Sequence, residues 1–367
     1  MVRRQGATLI EVLVAIFVMG LGMIALLTLF PIGALRMALA IQDDKCATAV
    51  ANANAIATMR DVRNDKFVRS PLGPAGDPYF PFKPFLDVFT DTPPQTDFLP
   101  NSARQQADPN GPSYPVFVDP IGVKNSVNLA GPFGWGQRWV SGSAFPGLIA
   151  RTSVSFVFDP PNPPVSQKYV FNNTKAYKWF SLLDDLNFET NQVGGGIPPP
   201  QGDPFQRDIR YSWAYMLQRP RSADTSIVNC SVVVYNKRPL SFSGILALPE
   251  AAYGEIFGKK NVSFDPTRNT ISIDWTNYAI PNLRTGDWIL DCTRVIGTNY
   301  GSAHAYFYRV VGITETGVSS ADYEVQQPIR GFPLPSQASQ APPYNGSIMI
   351  LEGIADVFER GVDRKPH

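Results

Sequence analysis

The chain is poor in the residues on which most site chemistry depends. Cysteine occurs three times in 367 residues, at Cys46, Cys230 and Cys292. That is too few for a disulfide scaffold and too scattered for a zinc centre. Histidine is scarcer, with only His304 and the terminal His367. A histidine-based triad would have to use His304, and no nucleophile motif surrounds it. A metalloenzyme would lack its commonest ligand. Charge of one sign is also missing: the formal net charge is +1, so no global field draws the chain to nucleic acid or acidic lipid. These shortages argue against an enzyme. They leave no catalytic set, no metal set and no cofactor to assign.

The chain is instead rich in Pro (34) and Gly (29), which points to long irregular loops and away from a mainly helical body. An apolar fraction of 44% with 17% charged residues suits a folded protein with a real core. Cys46 falls in a helical pattern and reads as a small packing residue. Cys230 and Cys292 fall in apolar strand-like runs. In an exported body they would either pair or stay as two buried free thiols, and the sequence does not choose.

One long apolar run stands at the N-terminus. Val12 to Leu35 holds no charge, and Arg3 and Arg4 precede it. At a rise of about 1.5 Å per residue the run is long enough for a bilayer core of roughly 30 Å. The basic flank stays on the cytoplasmic side, which leaves the body outside. A cleaved secretory signal needs an apolar core of about 7–15 residues. Ala38-Leu39-Ala40 would serve as its cleavage site, with Ile41 first in the mature chain. The run is too long for that, and Arg36 interrupts the approach. A plain signal anchor explains length and orientation but not Glu11, near the start of the segment. An acid in lipid is expensive, roughly 2.5–3.5 kcal/mol on insertion scales for Asp, and marks function by default.

Glu11 belongs to the string Gly6-Ala7-Thr8-Leu9-Ile10-Glu11-Val12 behind the short basic leader. This resembles the prepilin processing motif, in which the leader ends in Gly and Glu stands fifth in the mature chain. The chain is thereby similar to type IV pilin-like proteins, the minor pilins and the type II secretion pseudopilins. The family usually has Phe or Met at the first mature position, where this chain has Ala7. The resemblance implies that a prepilin peptidase cuts after Gly6 and that the new amino group of Ala7 is methylated. It implies that Glu11 pairs with the N-terminal amine of a neighbouring subunit in a filament. The implied partners are that peptidase, other pilin or pseudopilin subunits and an inner-membrane assembly platform. The implied location is a single pass of a bacterial inner membrane, N-terminus cytoplasmic and head periplasmic or extracellular. Gly20, Gly22, Pro31 and Gly33 weaken the helix locally. Membrane helices tolerate such residues, while the resemblance implies a segment that bends at Pro31 when subunits pack.

Beyond the membrane the helical pattern continues from Arg36 to about Lys66, with Asp65 and Arg69 spaced to support it. Ser70-Pro71-Leu72-Gly73-Pro74 then stops it. Residues 71–150 read as a long loop, including Tyr79-Phe80-Pro81-Phe82-Lys83-Pro84-Phe85, a run better suited to packing than to ligand binding. Strand signals follow. Ser153–Phe158 is short, and Ile209–Leu217 alternates with Ile209, Tyr211, Trp213, Tyr215 and Leu217 on one face. Ile227–Tyr235 completes a hairpin. A second group comprises Thr270–Trp275, Asp287–Val295, Ala305–Ile313, Tyr323–Gln327 and Ile348–Phe358, ahead of a frayed charged tail from Glu359. The expected fold class is α+β. A transmembrane and stalk helix packs on a β-rich, pilin-like head, with an additional C-terminal small β-barrel or sandwich. The expected divisions are a leader at 1–6, the helix at 7–69, the head at 70–240 and the C-terminal β-rich region at 241–367.

The remaining candidates have plainer explanations. Asp184, Asp185 and Glu189 match no dedicated calcium loop and read as a solvated acidic loop. Asp274, Asp287 and Asp291 sit near strand ends, where turn capping accounts for acids. Asn261-Val262-Ser263 carries no weight as a glycosylation triplet in a bacterial protein. Trp135 and Trp139 suit burial better than a sugar platform. The leading function is therefore structural, a minor subunit of a type IV pilus or of a secretion pseudopilus. An adhesin or recognition module on a pilin anchor is the second, and a membrane-tethered enzyme a distant third.

Overall fold

Leu9–Met59 forms one continuous helix, α1, of 51 residues. In the computed structural model the described residues are 9–65, 68, 115–122, 150–159, 170–182, 210–218, 227–238, 250–254, 262–276, 280–295, 302–330 and 343–364. The chain divides into two compact units, Met1–Thr48 and Ala49–His367. In the first, α1 passes through Pro31 without interruption. Its apolar side chains are exposed, among them Leu13, Phe17, Ile24 and Phe30. The helix is long and apolar enough to cross a membrane.

The second unit opens with the last turns of α1, where Ala49, Ala53, Ile56 and Ala57 are buried. Their spacing places them on one helix face, and their small side chains let a neighbour approach closely. The helix stops at Met59, short of the expected Lys66. Asp61 takes a left-handed conformation, φ 45°, which Asp tolerates better than most residues. A single 3-10 turn follows at Val62–Asn64. Tertiary contacts hold this break. The Arg60 guanidinium lies 4.5 Å from the Trp179 ring centroid and 5.4 Å from that of Phe156. Asp65 accepts hydrogen bonds from Ser155, at 3.0 Å from its N–H and 2.6 Å from its hydroxyl, while Arg69, its expected helical partner, lies outside the described residues.

The β-rich part holds two main sheets. The first contains β1 (Val116–Val118), β2 (Ala150–Thr152), β5 (Tyr211–Gln218), β6 (Ile227–Asn236) and β17 (Ile354–Arg364), in the order β17-β6-β5-β1-β2. Only the β1–β2 pair is parallel. The β5–β6 hairpin matches the expected one, with Tyr215 opposite Val232 and Trp213 opposite Val234. The alternating face is where expected too, since the Tyr215 hydroxyl donates to the Ala53 carbonyl. The opposite face of β5 is also buried, along the whole strand. The residues expected to form a strand at Ser153–Phe158 instead make a 3-10 turn at Ser155–Val157, leading into β3 (Phe158–Asp159). β3 pairs with β4 (Val170–Phe171), ahead of a short helix, α2 (Asn173–Phe180), that the sequence reading missed. Asn172 caps α2, its side chain accepting from the Lys175 N–H.

The second sheet contains β7 (Glu250–Gly254), β8 (Val262–Asp265), β9 (Thr270–Asp274), β10 (Trp288–Asp291), β13 (Tyr306–Glu315), β14 (Ser320–Val325), β15 (Tyr344–Asn345) and β16 (Ser347–Leu351). Its order is β15-β8-β9-β14-β13-β10-β16-β7. β15 and β16 are one chain segment broken only at Gly346, yet they pair near opposite ends of that order. β15 joins β8, while β16 joins β10 and β7. The sheet therefore curls round to meet itself and is nearly closed. Its interior follows the period of two expected of strands: Val262 and Phe264, Ile271 and Ile273, Ala321, Tyr323 and Val325, Ile348 and Ile350 all point inward. A Cβ on Gly346 would collide with Thr293 Oγ1 and the Phe264 ring, so the crossing point needs glycine. A separate ribbon pairs β11 (Arg294–Val295) with β12 (Ser302–Ala303).

The run read as one strand, Ile348–Phe358, is two. It breaks at Glu352-Gly353, where Gly353 has φ +83° and lies against the backbone of Asn236 and Arg238. β16 stays with the curled sheet. β17 crosses to the first sheet and pairs with β6 as far as Arg364 opposite Ile227. Residues 359–364, read as a frayed tail, are therefore strand. The curled sheet is inserted between two neighbouring strands of the first. The two share a core: Phe117, Ala214, Met216, Val233 and Tyr235 on one side, Leu290, Met349 and Leu351 on the other.

Candidate assembly segment and the surfaces of the β-rich unit

The N-terminal segment is built by a helix whose first described turn carries Glu11. A carboxylate in the first turn of a helix complements the positive end of the helix dipole. Glu11 is exposed, as are the apolar residues around it. Gly6 and Ala7 lie outside the described residues. So do Tyr79–Phe85, Trp135, Trp139, Asp184, Asp185, Glu189 and Asn261.

The strand-end acids are not brought together into one site. Asp274 accepts from the N–H and hydroxyl of Thr276 at 2.9 and 2.6 Å. Asp287 accepts from the Arg284 N–H at 2.7 Å. Both cap turns. Asp291 differs: it is fully buried, accepts from the Thr293 N–H at 2.8 Å, and takes a hydrogen bond from His304 Nδ1 at 2.7 Å. The histidine without a nucleophile is thus a core residue paired to an acid. Among the described residues no group of three or more His, Cys, Asp or Glu is set to hold a metal ion.

Cys230 and Cys292 are both buried, and neither is part of a disulfide. Cys230 stands opposite Leu217, on the Tyr215 face of the first sheet. Cys292 belongs to the core on that sheet's other face. Burial, reinforced by the neighbouring Asp291 charge, holds the Cys292 thiol well above its ordinary pKa. Cys46 is buried as well.

Two ionic arrangements had no sequence signal, because neither pair has a helical or strand spacing that would place its residues side by side. Arg238 and Asp119 form a buried bidentate pair, Nη1–Oδ1 at 2.7 Å and Nη2–Oδ2 at 2.6 Å, and Asp119 also accepts from the Gly122 N–H. Lys175 pairs with Asp159 at 2.7 Å. Hydrogen bonds from Lys175 and Asn172 hold the Asp159 carboxyl below its ordinary pKa.

Residues 1–27 match the family model described as the prokaryotic N-terminal methylation motif. The match is consistent with a type IV pilin-like protein, and the motif implies a prepilin peptidase substrate that assembles with other pilin subunits. No curated protein and no solved structure matches the chain.

Proposed function

We infer that the protein is a structural minor pilin or pseudopilin. Prepilin peptidase removes Met1–Gly6, Ala7 is N-methylated, and α1 anchors the subunit in a bacterial inner membrane with the β-rich unit outside. A filament, either a type IV pilus or a type II secretion pseudopilus, then takes it up through the inner-membrane assembly platform. The observation that carries this is the methylation motif at residues 1–27, which overlaps the start of an exposed apolar helix long enough to span a bilayer.

The physics of the segment supports the reading. A carboxylate in lipid needs a partner, and two charges excluded from water attract strongly, whereas an unpaired one is costly. The amine of Ala7 on a neighbouring subunit is the partner the motif implies. The pairing would fix the axial register between subunits. The β-rich unit performs no chemistry on this reading, and its inserted sheet enlarges the surface presented outside the membrane.

Intact mass and N-terminal sequencing of the protein from its native membrane test the proposal. The expected product begins at N-methylated Ala7. A chain beginning at Ile41 would mean an ordinary secreted protein, and one retaining Met1 a plain membrane anchor. Either result removes the filament role.

A further inference from the structure

The first sheet and the curled sheet meet along a cleft of about 570 Å³, a volume within the range of small-molecule sites. Strand register defines one wall. Gln218 stands opposite Asn229, and Met216 opposite Ser231, which in turn faces Glu359. All therefore project from the face that meets the curled sheet. The other wall carries Tyr306 and Arg330. Trp288 also lines the cleft, with its indole nitrogen buried.

Three tyrosines fix Arg330. Its N–H donates to the Tyr308 hydroxyl at 3.1 Å, and its carbonyl accepts from the Tyr344 hydroxyl at 2.7 Å. Its guanidinium lies 3.8 Å from the Tyr306 ring centroid and donates through Nη1 to that hydroxyl at 3.0 Å. The planar fork is thus held against that ring and makes no other hydrogen bond to the described residues. Burial holds the Tyr308 phenol above its ordinary pKa, so it stays protonated. Neither Arg330 nor Glu359 has an ion-pair partner among the described residues, although both line the cleft.

We propose that this cleft binds a carboxylated sugar, with the carboxylate on Arg330 and the ring hydroxyls on Glu359, Asn229, Ser231 and Gln218. A fixed guanidinium with no ion-pair partner among the described residues selects a carboxylate. Glu359 disfavours a dianion such as phosphate but accepts hydrogen bonds from hydroxyls. The Tyr306 ring adds an apolar face beside these polar groups, the mixture that a sugar ring presents in return. The site stands independently of filament assembly.

The test uses the full chain in detergent micelles, titrated calorimetrically with a glucuronate-containing disaccharide, its neutral glucose counterpart and an alanine tripeptide. The glucuronate disaccharide is expected to bind saturably, and the neutral sugar about tenfold more weakly or worse, since a charge-assisted hydrogen bond is lost. The tripeptide, which has a carboxylate but no ring hydroxyls, is expected not to compete. Arg330→Gln should weaken the acidic sugar by roughly ten- to hundredfold, and Arg330→Lys should restore only part of it, with the unfolding midpoint of each variant unchanged. Equal binding of the two sugars, absence of binding, or tighter binding of the tripeptide would overturn the proposal. The ligand comparison on the unaltered chain decides even where a variant fails to fold.

Discussion

The Tyr215 hydroxyl donates to the backbone carbonyl of Ala53 at 2.7 Å, tying the central strand of the first sheet to the helix end that covers it. The ring is fully buried and meets Phe180 edge-on, with centroids 6.0 Å apart. Tyr215→Phe keeps the ring and removes only the bond. It should cost about 1 kcal/mol, read as a lower urea midpoint with an unchanged slope. Tyr215→Ala removes the packing as well and should cost about 3–5 kcal/mol, as for other large-to-small aromatic changes. If the Phe variant matches the parent, the bond contributes nothing to stability.

The Asp119–Arg238 pair makes a sharper test, since both side chains are out of water, at 0% and 6% exposure. Breaking such a pair strands a buried charge. Asp119→Ala should therefore destabilise by about 3–5 kcal/mol. Replacing both partners, as in Asp119→Leu with Arg238→Met, should recover most of the loss, because no unpaired charge remains. A double-mutant cycle in urea measures the difference. Additive single effects would mean that the pair has no coupling.

What the sequence made legible was local. Alternation marked Tyr211, Trp213, Tyr215 and Leu217 as one face, because a strand with a buried side must repeat every second residue. The length and apolarity of the first helix were equally plain, as was the acid at Glu11. Long-range pairing left no such trace. Nothing at Glu352-Gly353 announces that one half of an apolar run serves the curled sheet and the other half pairs with β6. Met59 ends the helix because Arg60 and Asp65 find partners at Trp179 and Ser155, which lie far along the chain. Asp291 looked like its neighbours Asp274 and Asp287, and only the fold brings His304 to it.

Buried phenols should make the fold less stable at alkaline pH. Burial raises the pKa of Tyr215, Tyr253, Tyr308 and Tyr323. The unfolded chain titrates at the ordinary value of about 10. Above that pH the unfolded state releases protons that the folded state retains, so unfolding becomes more favourable. The stability these groups contribute is full below about pH 10 and declines as pH rises beyond it. The urea midpoint should accordingly hold between pH 7 and 9 and drop by pH 11. Tyr308→Phe should reduce the size of that drop, and a profile that stays flat to pH 11 would argue against phenol burial.

Glu11 carries the assembly reading, and its replacement separates insertion from incorporation. Glu11→Leu makes the first described turn of the helix more apolar, so membrane insertion should be unimpaired or improved. What it removes is the carboxylate that would meet the Ala7 amine of a neighbouring subunit in a medium where an unpaired charge is costly. The expected outcome is normal membrane levels and normal removal of the leader, with the subunit scarce or absent in sheared filaments. Glu11→Asp keeps the charge on a shorter arm and should fall between the two. Quantitative immunoblots of membrane and filament fractions make the measurement. Wild-type incorporation of the Leu variant would leave the helix as an anchor and move the register-setting contact elsewhere.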